Sequence, residues 1–486
     1  MGLTNINFGA KGALLAAPAL LVLGACTTPA ANVPQSTLST PADWALSDVA
    51  PITTDLTEYW TLLGDPLLTD FVEQAIVENR DLAQSAARLE QARASLVQAR
   101  AGYYPTVFAN GGVNRDIGDN ARDGVQLSLG ADANWELDLF GQISGNVAAA
   151  RADFATAGYS QADLQRLIVG QVAIATINAR ATAEQLEIAR NTLAFQDDNL
   201  QIARWRNQAG LVSSLDVEQA RAQRAATAAT IPLLESSLVA TANAISTLIG
   251  ETPGRVLDEI ESDVETRVPA PPQLDGFAPP AEVLSRRPDV RAAEANLIAS
   301  SARIGVVRAQ LLPLVRLTGS IGTGGTNFSN LFDVITGSIF GGISQLLFDG
   351  GATAARVDSA EAGARASLAA WEQEILSALE EVESAAVDQR TADERIDIQN
   401  EAVDAASNSV ILARSQYQAG LTDFRTLLVA ENQLLAARNN LVGAEADRAT
   451  AFVRLTQALG GGWSASDFDF TLPGGAVLQA SDGNEE

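Results

Sequence analysis

From Val125 to Leu139 apolar and polar residues alternate without a break. Val125, Leu127, Leu129, Ala131, Ala133, Trp135, Leu137 and Leu139 fall on one side, and Gln126, Ser128, Gly130, Asp132, Asn134, Glu136 and Asp138 on the other. A period of two over this length predicts a β-strand with one apolar and one very polar face. Residues 106–114, ahead of Gly118-Asp119-Asn120, supply its partner, giving a hairpin over 106–139. A second hairpin is expected over 314–348, with strands at 314–322 and 337–348 on either side of Gly324-Gly325-Thr326-Asn327. Its alternation is poorer: Ile339, Gly341 and Ile343 stand against Phe340, Gly342 and Ser344.

Beyond each hairpin the period changes. Residues 146–207 and 352–417 lack proline and carry apolar residues every seven positions: Val172, Ala179, Leu186, Leu193 and Leu200 in one, Ile396, Val403 and Val410 in the other. A seven-residue repeat flanked by Arg, Asp, Glu and Gln predicts a coiled-coil seam. At ~1.5 Å per residue each helix approaches ~90 Å, too long for a globular core, and both are too charged to cross a bilayer. Each ends in Gln-Ala-Gly-Leu, where Gly210 and Gly420 are natural left-handed caps and Leu211 and Leu421 follow. Return helices are expected at 214–248, with Ser213 and Asp216 in a capping-box arrangement, and at 423–459, capped by Thr422 or Asp423. Pro232 should kink the first of them.

These matches recur about 210 residues apart. Gln208-Ala209-Gly210-Leu211 returns as Gln418-Ala419-Gly420-Leu421, Leu139-Phe140 as Leu347-Phe348, and Arg80-Asp81 as Pro288-Asp289. The chain therefore divides into a first repeat at 67–250, a Pro-rich connection at 251–280, a second repeat at 281–459 and a tail at 460–486. The predicted class is mainly α with membrane β.

The polar face of the first hairpin carries three acids in seven positions, more than a solvated soluble sheet demands, and the strands have the ~9–11 residues a tilted membrane strand needs. In lipid a sheet edge cannot stay open. Two hairpins give four strands, while the smallest barrels have roughly eight. Several copies must therefore close one barrel, with Asp132, Asn134, Glu136 and Asp138 as candidate pore-lining residues. Three copies would supply twelve strands. With the hairpins in the membrane, the helices project from it as a tube, and the two tips lie farthest away.

The N-terminus agrees with a membrane address. Residues 1–25 read as a signal peptide: Lys11, then an apolar run ending in Leu23-Gly24-Ala25-Cys26, which resembles a bacterial lipobox. Cys26 is the predicted lipid attachment site at the head of an anchored segment, 26–66, and Thr27 after it favours the outer membrane. Composition removes most enzymes. Histidine is absent, Lys11 is the only lysine, and Cys26 the only cysteine. A Ser-His-Asp triad, His-ligated metal, Schiff-base lysine, P-loop lysine and internal disulfide are all excluded from the mature chain, and no cofactor is expected. Gly319 to Gly325 reads as strand and turn glycine, since no lysine follows it. Glu380, Glu381 and Glu383 read as a solvated helix face. The net charge of −27, more negative by one without Lys11, argues against nucleic acid and suits a water-filled passage.

Three stretches carry a family resemblance: Leu284-Ser285-Arg286-Arg287-Pro288-Asp289-Val290-Arg291-Ala292-Ala293-Glu294; Leu312-Pro313 to Gly319-Ser320-Ile321-Gly322; and Ala458-Leu459-Gly460-Gly461-Gly462-Trp463. With these the mature chain resembles the TolC-like outer-membrane efflux channels, in the lipoprotein (OprM/NodT-type) branch. The resemblance implies a homotrimer with a 12-stranded β-barrel continuous with a periplasmic α-helical barrel. It also implies a periplasmic adaptor and an inner-membrane efflux transporter, of RND type, as partners. Family members place acids just after the second tip, at positions matching Thr426 and Val429 here. Asp423 and Glu431 are nearby substitutes, and closure of the tip is expected to rest on Asp423, Arg425 and the apolar Leu421 and Leu427.

Two functions compete at this stage. One is a passive duct for small molecules, with a protein-secretion duct as its variant. The other is a non-conducting envelope scaffold. The duct requires a closed barrel and the scaffold does not.

Overall fold

The computed structural model describes residues 35–39, 41–44, 55–117, 119, 124–263, 267–272, 276 and 278–464; Cys26, the leader and most of the tail lie outside the described residues. After a 3-10 turn at Tyr59–Leu63 come α1 (Pro66–Glu78), α2 (Arg80–Ala101), the hairpin β1 (Thr106–Asn114) and β2 (Gln126–Leu137), α3 (Gln142–Gln208) and α4 (Ser214–Leu248). Two short helices, α5 (Arg255–Ser262) and α6 (Pro280–Arg286), lead to the second set: α7 (Pro288–Ala309), β3 (Leu314–Gly325), β4 (Ile335–Ser344), α8 (Ala352–Gln418) and α9 (Phe424–Ala458).

The two long helices have 67 residues each, ~100 Å at ~1.5 Å per residue. Helix α3 starts four residues before 146, because the Asp138 carboxylate accepts from the amides of Ile143 at 2.9 Å and Ser144 at 2.8 Å. Asp349 does the same for α8 through the Thr353 amide at 2.7 Å. An acid at each N-terminus satisfies orphan amides and complements the helix dipole. Along the first seam Val172, Ala179, Leu186 and Leu200 are buried and Leu193 half-buried; Val410 is buried in the second, with Ile396 and Val403 half-buried. Helix α4 continues through Pro232.

The four strands form one antiparallel sheet in the order β1-β2-β3-β4. Its second hairpin ends at Ser344, so Leu347 and Phe348 lie beyond the strand expected to reach 348. Pairing partners share a face. Asp132 stands opposite Phe108 and Ser320, Asn134 opposite Thr106 and Thr318, and Glu136 opposite Arg316. The other face aligns Leu129 with Thr323, Trp135 with Leu317, and Val315 with Ile343. Strand β4, ambiguous by its own alternation, is assigned by this register: Ile339 and Ile343 join the apolar face.

Helix neighbours follow the same lateral order as the strands. On the sheet side of the waist α2 packs on α3, α3 on α7 and α7 on α8; beyond the waist α4 packs on α3, α3 on α9 and α9 on α8. One flank of the molecule is thus β1, α2 and α4, and the opposite flank is β4 and α8. The largest apolar core lies at the waist, where Tyr59, Trp60, Phe71 and Val72 pack with Val172, Ile177, Ile245, Val256, Ile260 and Phe452. Residues 35–39 and 41–44 lie against the second repeat and the connection before it, the Ser36 hydroxyl donating to Glu372 at 2.7 Å and the Trp44 indole to the Ala278 carbonyl at 2.8 Å.

The duplication is visible in the waist bonds. Asn79, which caps α2, donates to the Leu248 carbonyl at the end of α4 at 2.7 Å. Arg287, at the equivalent position before α7, donates to the Ala458 carbonyl at the end of α9 at 3.0 Å. In each repeat the residue preceding the second helix therefore holds the last helix's C-terminus, whose carbonyls have no partner within the helix.

Candidate functional site: pore wall and hairpin tips

The candidate pore wall is the polar face of the sheet. The Asn110 amide donates to Asp132, Glu136 and Arg316 approach to 3.9 Å, and the Ser320 and Ser338 hydroxyls are 2.8 Å apart. Asp132, Asn134 and Glu136 are brought together on this face by the β2 register. Asp138 is not among them. It has left the strand and caps α3, which corrects its assignment to the wall: period-two alternation continues past Leu137, but the chain turns there at Gly141, φ +79°.

At the far end each long helix closes in the same way. Gly210 has φ +72° and Gly420 φ +75°, and the next amides, Leu211 and Leu421, donate back to Arg206 at 2.8 Å and Gln416 at 2.9 Å. This is a Schellman closure that only glycine adopts without strain. The Ser213 amide donates to Asp216 at 3.2 Å, and the Thr426 amide to Asp423 at 2.9 Å, so both acids serve as helix caps. Hydrogen bonds from the Thr426 hydroxyl and amide hold the Asp423 carboxyl below its usual value.

Leu211, Leu421 and Arg425 are exposed at the tips. Leu427 is not. It is 1% exposed and packs with Leu200, Ala203, Val410, Tyr417 and Phe424, so its expected place around a central axis is corrected. Asp423 is likewise occupied within its own chain.

Sequence reading missed the contacts that join the two hairpins. The Arg206 guanidinium lies 4.6 Å from the centre of the Tyr417 ring and donates to the Tyr417 carbonyl at 3.3 Å. Tyr417 meets Phe424 edge-on at 5.5 Å. Asn199 on α3 donates to Glu431 on α9 at 2.8 Å, and Asn432 on α9 donates to Gln223 on α4 at 3.2 Å. Burial raises the Glu431 carboxyl above its ordinary pKa against the opposing pull of Asn199 and Arg414. One signal was available: next to the repeated Gln-Ala-Gly-Leu, Arg206-Asn207 in the first copy is replaced by Gln416-Tyr417 in the second.

The waist carries charge where the sequence suggested only a solvated helix face. Arg287, wholly buried, binds Asp289 through Nε at 3.1 Å and Glu381 through Nη2 at 2.6 Å. Arg166 binds Asp163 at 2.7 Å and the Gln457 carbonyl at 3.3 Å. Burial raises the Asp163 carboxyl; at Asp289 the two guanidinium groups outweigh burial and lower it. No group of His, Cys, Asp and Glu among the described residues is arranged to hold a metal ion.

Known proteins share this arrangement. The chain is 30% identical to Nodulation protein T of Rhizobium leguminosarum bv. trifolii, over 84% of this chain and 88% of that protein. It is 30% identical to the solvent efflux pump outer membrane protein SrpC of Pseudomonas putida, over 92% of this chain and 98% of that one. The solved outer-membrane channel OprN superposes with a TM-score of 0.80 at 31% identity, covering 88% of this chain and 99% of that one. The family model described as outer membrane efflux protein matches residues 71–251 and 280–461, one span for each repeat of helices and hairpin. Fold, duplication and sequence agree: the chain belongs to the outer membrane efflux protein family, the TolC-like channels.

Proposed function

We propose that the protein is a homotrimeric exit duct, anchored by acyl chains on Cys26, with its sheet in the outer membrane and its helices in the periplasm. The observation that supports this most directly is the alignment of the unpaired flanks. Strand β1 is continuous with α2 and lies on the same side as α4; β4 runs into α8 on the other. Copies set side by side would pair β4 with β1 and pack α8 against α4 along the whole length. In lipid that pairing is obligatory, since each unsatisfied backbone group costs several kcal/mol. Three chains give twelve strands, with Asp132, Asn134 and Glu136 facing a water-filled lumen and the apolar face turned to lipid.

The passage is passive. Its driving force comes from an inner-membrane transporter, of RND type, through a periplasmic adaptor at the tips. This chain contributes a hydrophilic lumen and a closable end. The cargo class is small toxic compounds such as the solvents named for the Pseudomonas putida relative, chosen by the pump.

Leu233 on α4 and Ile398 on α8, 71% and 64% exposed, lie on opposite flanks, 23 and 22 residues from Gly210 and Gly420. At ~1.5 Å per residue both stand roughly 35 Å from the tips. The double variant Leu233→Cys/Ile398→Cys should give disulfide-linked dimers and trimers on oxidation of outer membranes, and the purified protein should conduct ions in a planar bilayer. Monomers alone, without conductance, would sink the duct and leave the scaffold. Trimers that complement loss of protein secretion but not of drug efflux would shift the cargo to polypeptide.

A further inference from the structure

The polar face of the sheet has two aromatic interruptions. Phe108 on β1 pairs across to Asp132, and Phe340 on β4 pairs across to Thr318, so the register puts both rings on the face of Asp132, Glu136 and Arg316. They are 61% and 65% exposed. Their strand neighbours on that face are Thr106 and Asn110 for Phe108, and Ser338 and Gly342 for Phe340. A Cβ at Gly342 would come 2.8 Å from Cε1 of Phe340, so one edge of the ring reaches along its own strand over the glycine. A polar side chain would be better solvated at either position, because exposed phenyl surface gains nothing from water.

We propose that Phe108 and Phe340 are specificity-determining contacts of the duct, apolar footholds on a polar wall for aromatic solutes. The inference rests on the duct reading above. Each chain contributes one ring from each edge strand, so three chains place six beside the subunit seams. The acidic wall attracts cations, and the ring faces add stacking and cation–π attraction for those that are aromatic. An aromatic contact of this kind lengthens residence roughly 2- to 10-fold. That is enough to favour aromatic cargo and weak enough to release it.

The test is current block in planar bilayers holding the purified full-length trimer. The aromatic cation N-methylquinolinium is compared with aliphatic tetraethylammonium, each added on the β-barrel side. Phe108→Ser/Phe340→Ser should keep the salt conductance and the trimeric mass in mild detergent, lose block by N-methylquinolinium roughly 2- to 10-fold, and leave block by tetraethylammonium unchanged. Conduction with equal aromatic block in wild type and variant overturns the proposal alone. A variant that no longer holds together as a trimer, with Phe340→Leu restoring assembly, makes the rings seam packing and overturns it as well. Wild-type protein that passes no current overturns the duct reading together with this one.

Discussion

The guanidinium of Arg287 donates to the carbonyl oxygen of Ala458 at 3.0 Å, closing the C-terminus of the last helix against the start of the second repeat. The same side chain holds Asp289 and Glu381, so one buried cation ties α7, α8 and α9 together. Replacing Arg287 by Ala leaves Asp289 without its main partner in a buried site. The expected loss is about 3–5 kcal/mol, the range for breaking a buried pair from one side. Thermal unfolding of the detergent-solubilised protein reads it, and a melting temperature within a degree of wild type would refute the role.

Arg206 over Tyr417 joins the two hairpin tips. A partly exposed cation–π pair contributes about 1 kcal/mol, so its loss shifts the opening equilibrium of each tip roughly fivefold. Arg206→Ala should raise resting single-channel conductance, and Arg206→Lys should raise it less. An unchanged closed state would place the gate elsewhere.

Glu431 predicts a pH dependence of definite sign. Burial lifts its folded pKa above the unfolded value of 4.5, so the folded chain binds this proton more tightly than the unfolded one. Ionisation therefore costs stability in full above the raised pKa; the cost fades as pH falls from there toward 4.5 and is gone below it. Glu431→Gln keeps an oxygen for Asn199 and should raise the melting temperature at neutral pH. The gain should shrink in acid. A gain of equal size at both pH values would show that the carboxyl's charge is not the cause.

Two glycines with left-handed φ separate strain from collision. A Cβ at Gly250 would collide with the Glu78 carbonyl oxygen, while at Gly210 nothing lies within 4 Å. Gly210→Ala should cost about 1 kcal/mol from backbone strain alone, and Gly250→Ala roughly 2–4 kcal/mol as the waist is forced apart. Denaturant unfolding of both variants makes the comparison. Equal losses would mean that the close approach at Glu78 relaxes freely.

How far the site was legible can be judged from single residues. Asp132, Asn134 and Glu136 share a face because alternate residues of any strand do, so their grouping needed no structure. Asp138 obeys the same alternation and yet caps a helix, since periodicity carries no mark of where a strand stops. Leu427 and Leu421 are both apolar residues within seven positions of the tip glycine Gly420. One fills its own chain's core and the other faces out, and hydrophobicity alone does not separate them. Glu381 looks like its solvated neighbours Glu380 and Glu383. Its partner, Arg287, is 94 positions away.

By itself the sequence determined the strand period, the heptads, the left-handed glycines at the tips, the doubling of the whole pattern and the need for a closed sheet. Each of these is a local rule, set by backbone geometry within a few residues or by the solvent a face requires. Tertiary structure alone decided the pairing register that placed Phe108 and Phe340 on the polar wall. It also decided the lateral order that leaves two continuous flanks open, the Arg206–Tyr417 contact and the buried charges of the waist. These depend on which distant segments meet, and a contact between residues hundreds of positions apart leaves no periodic trace in either segment.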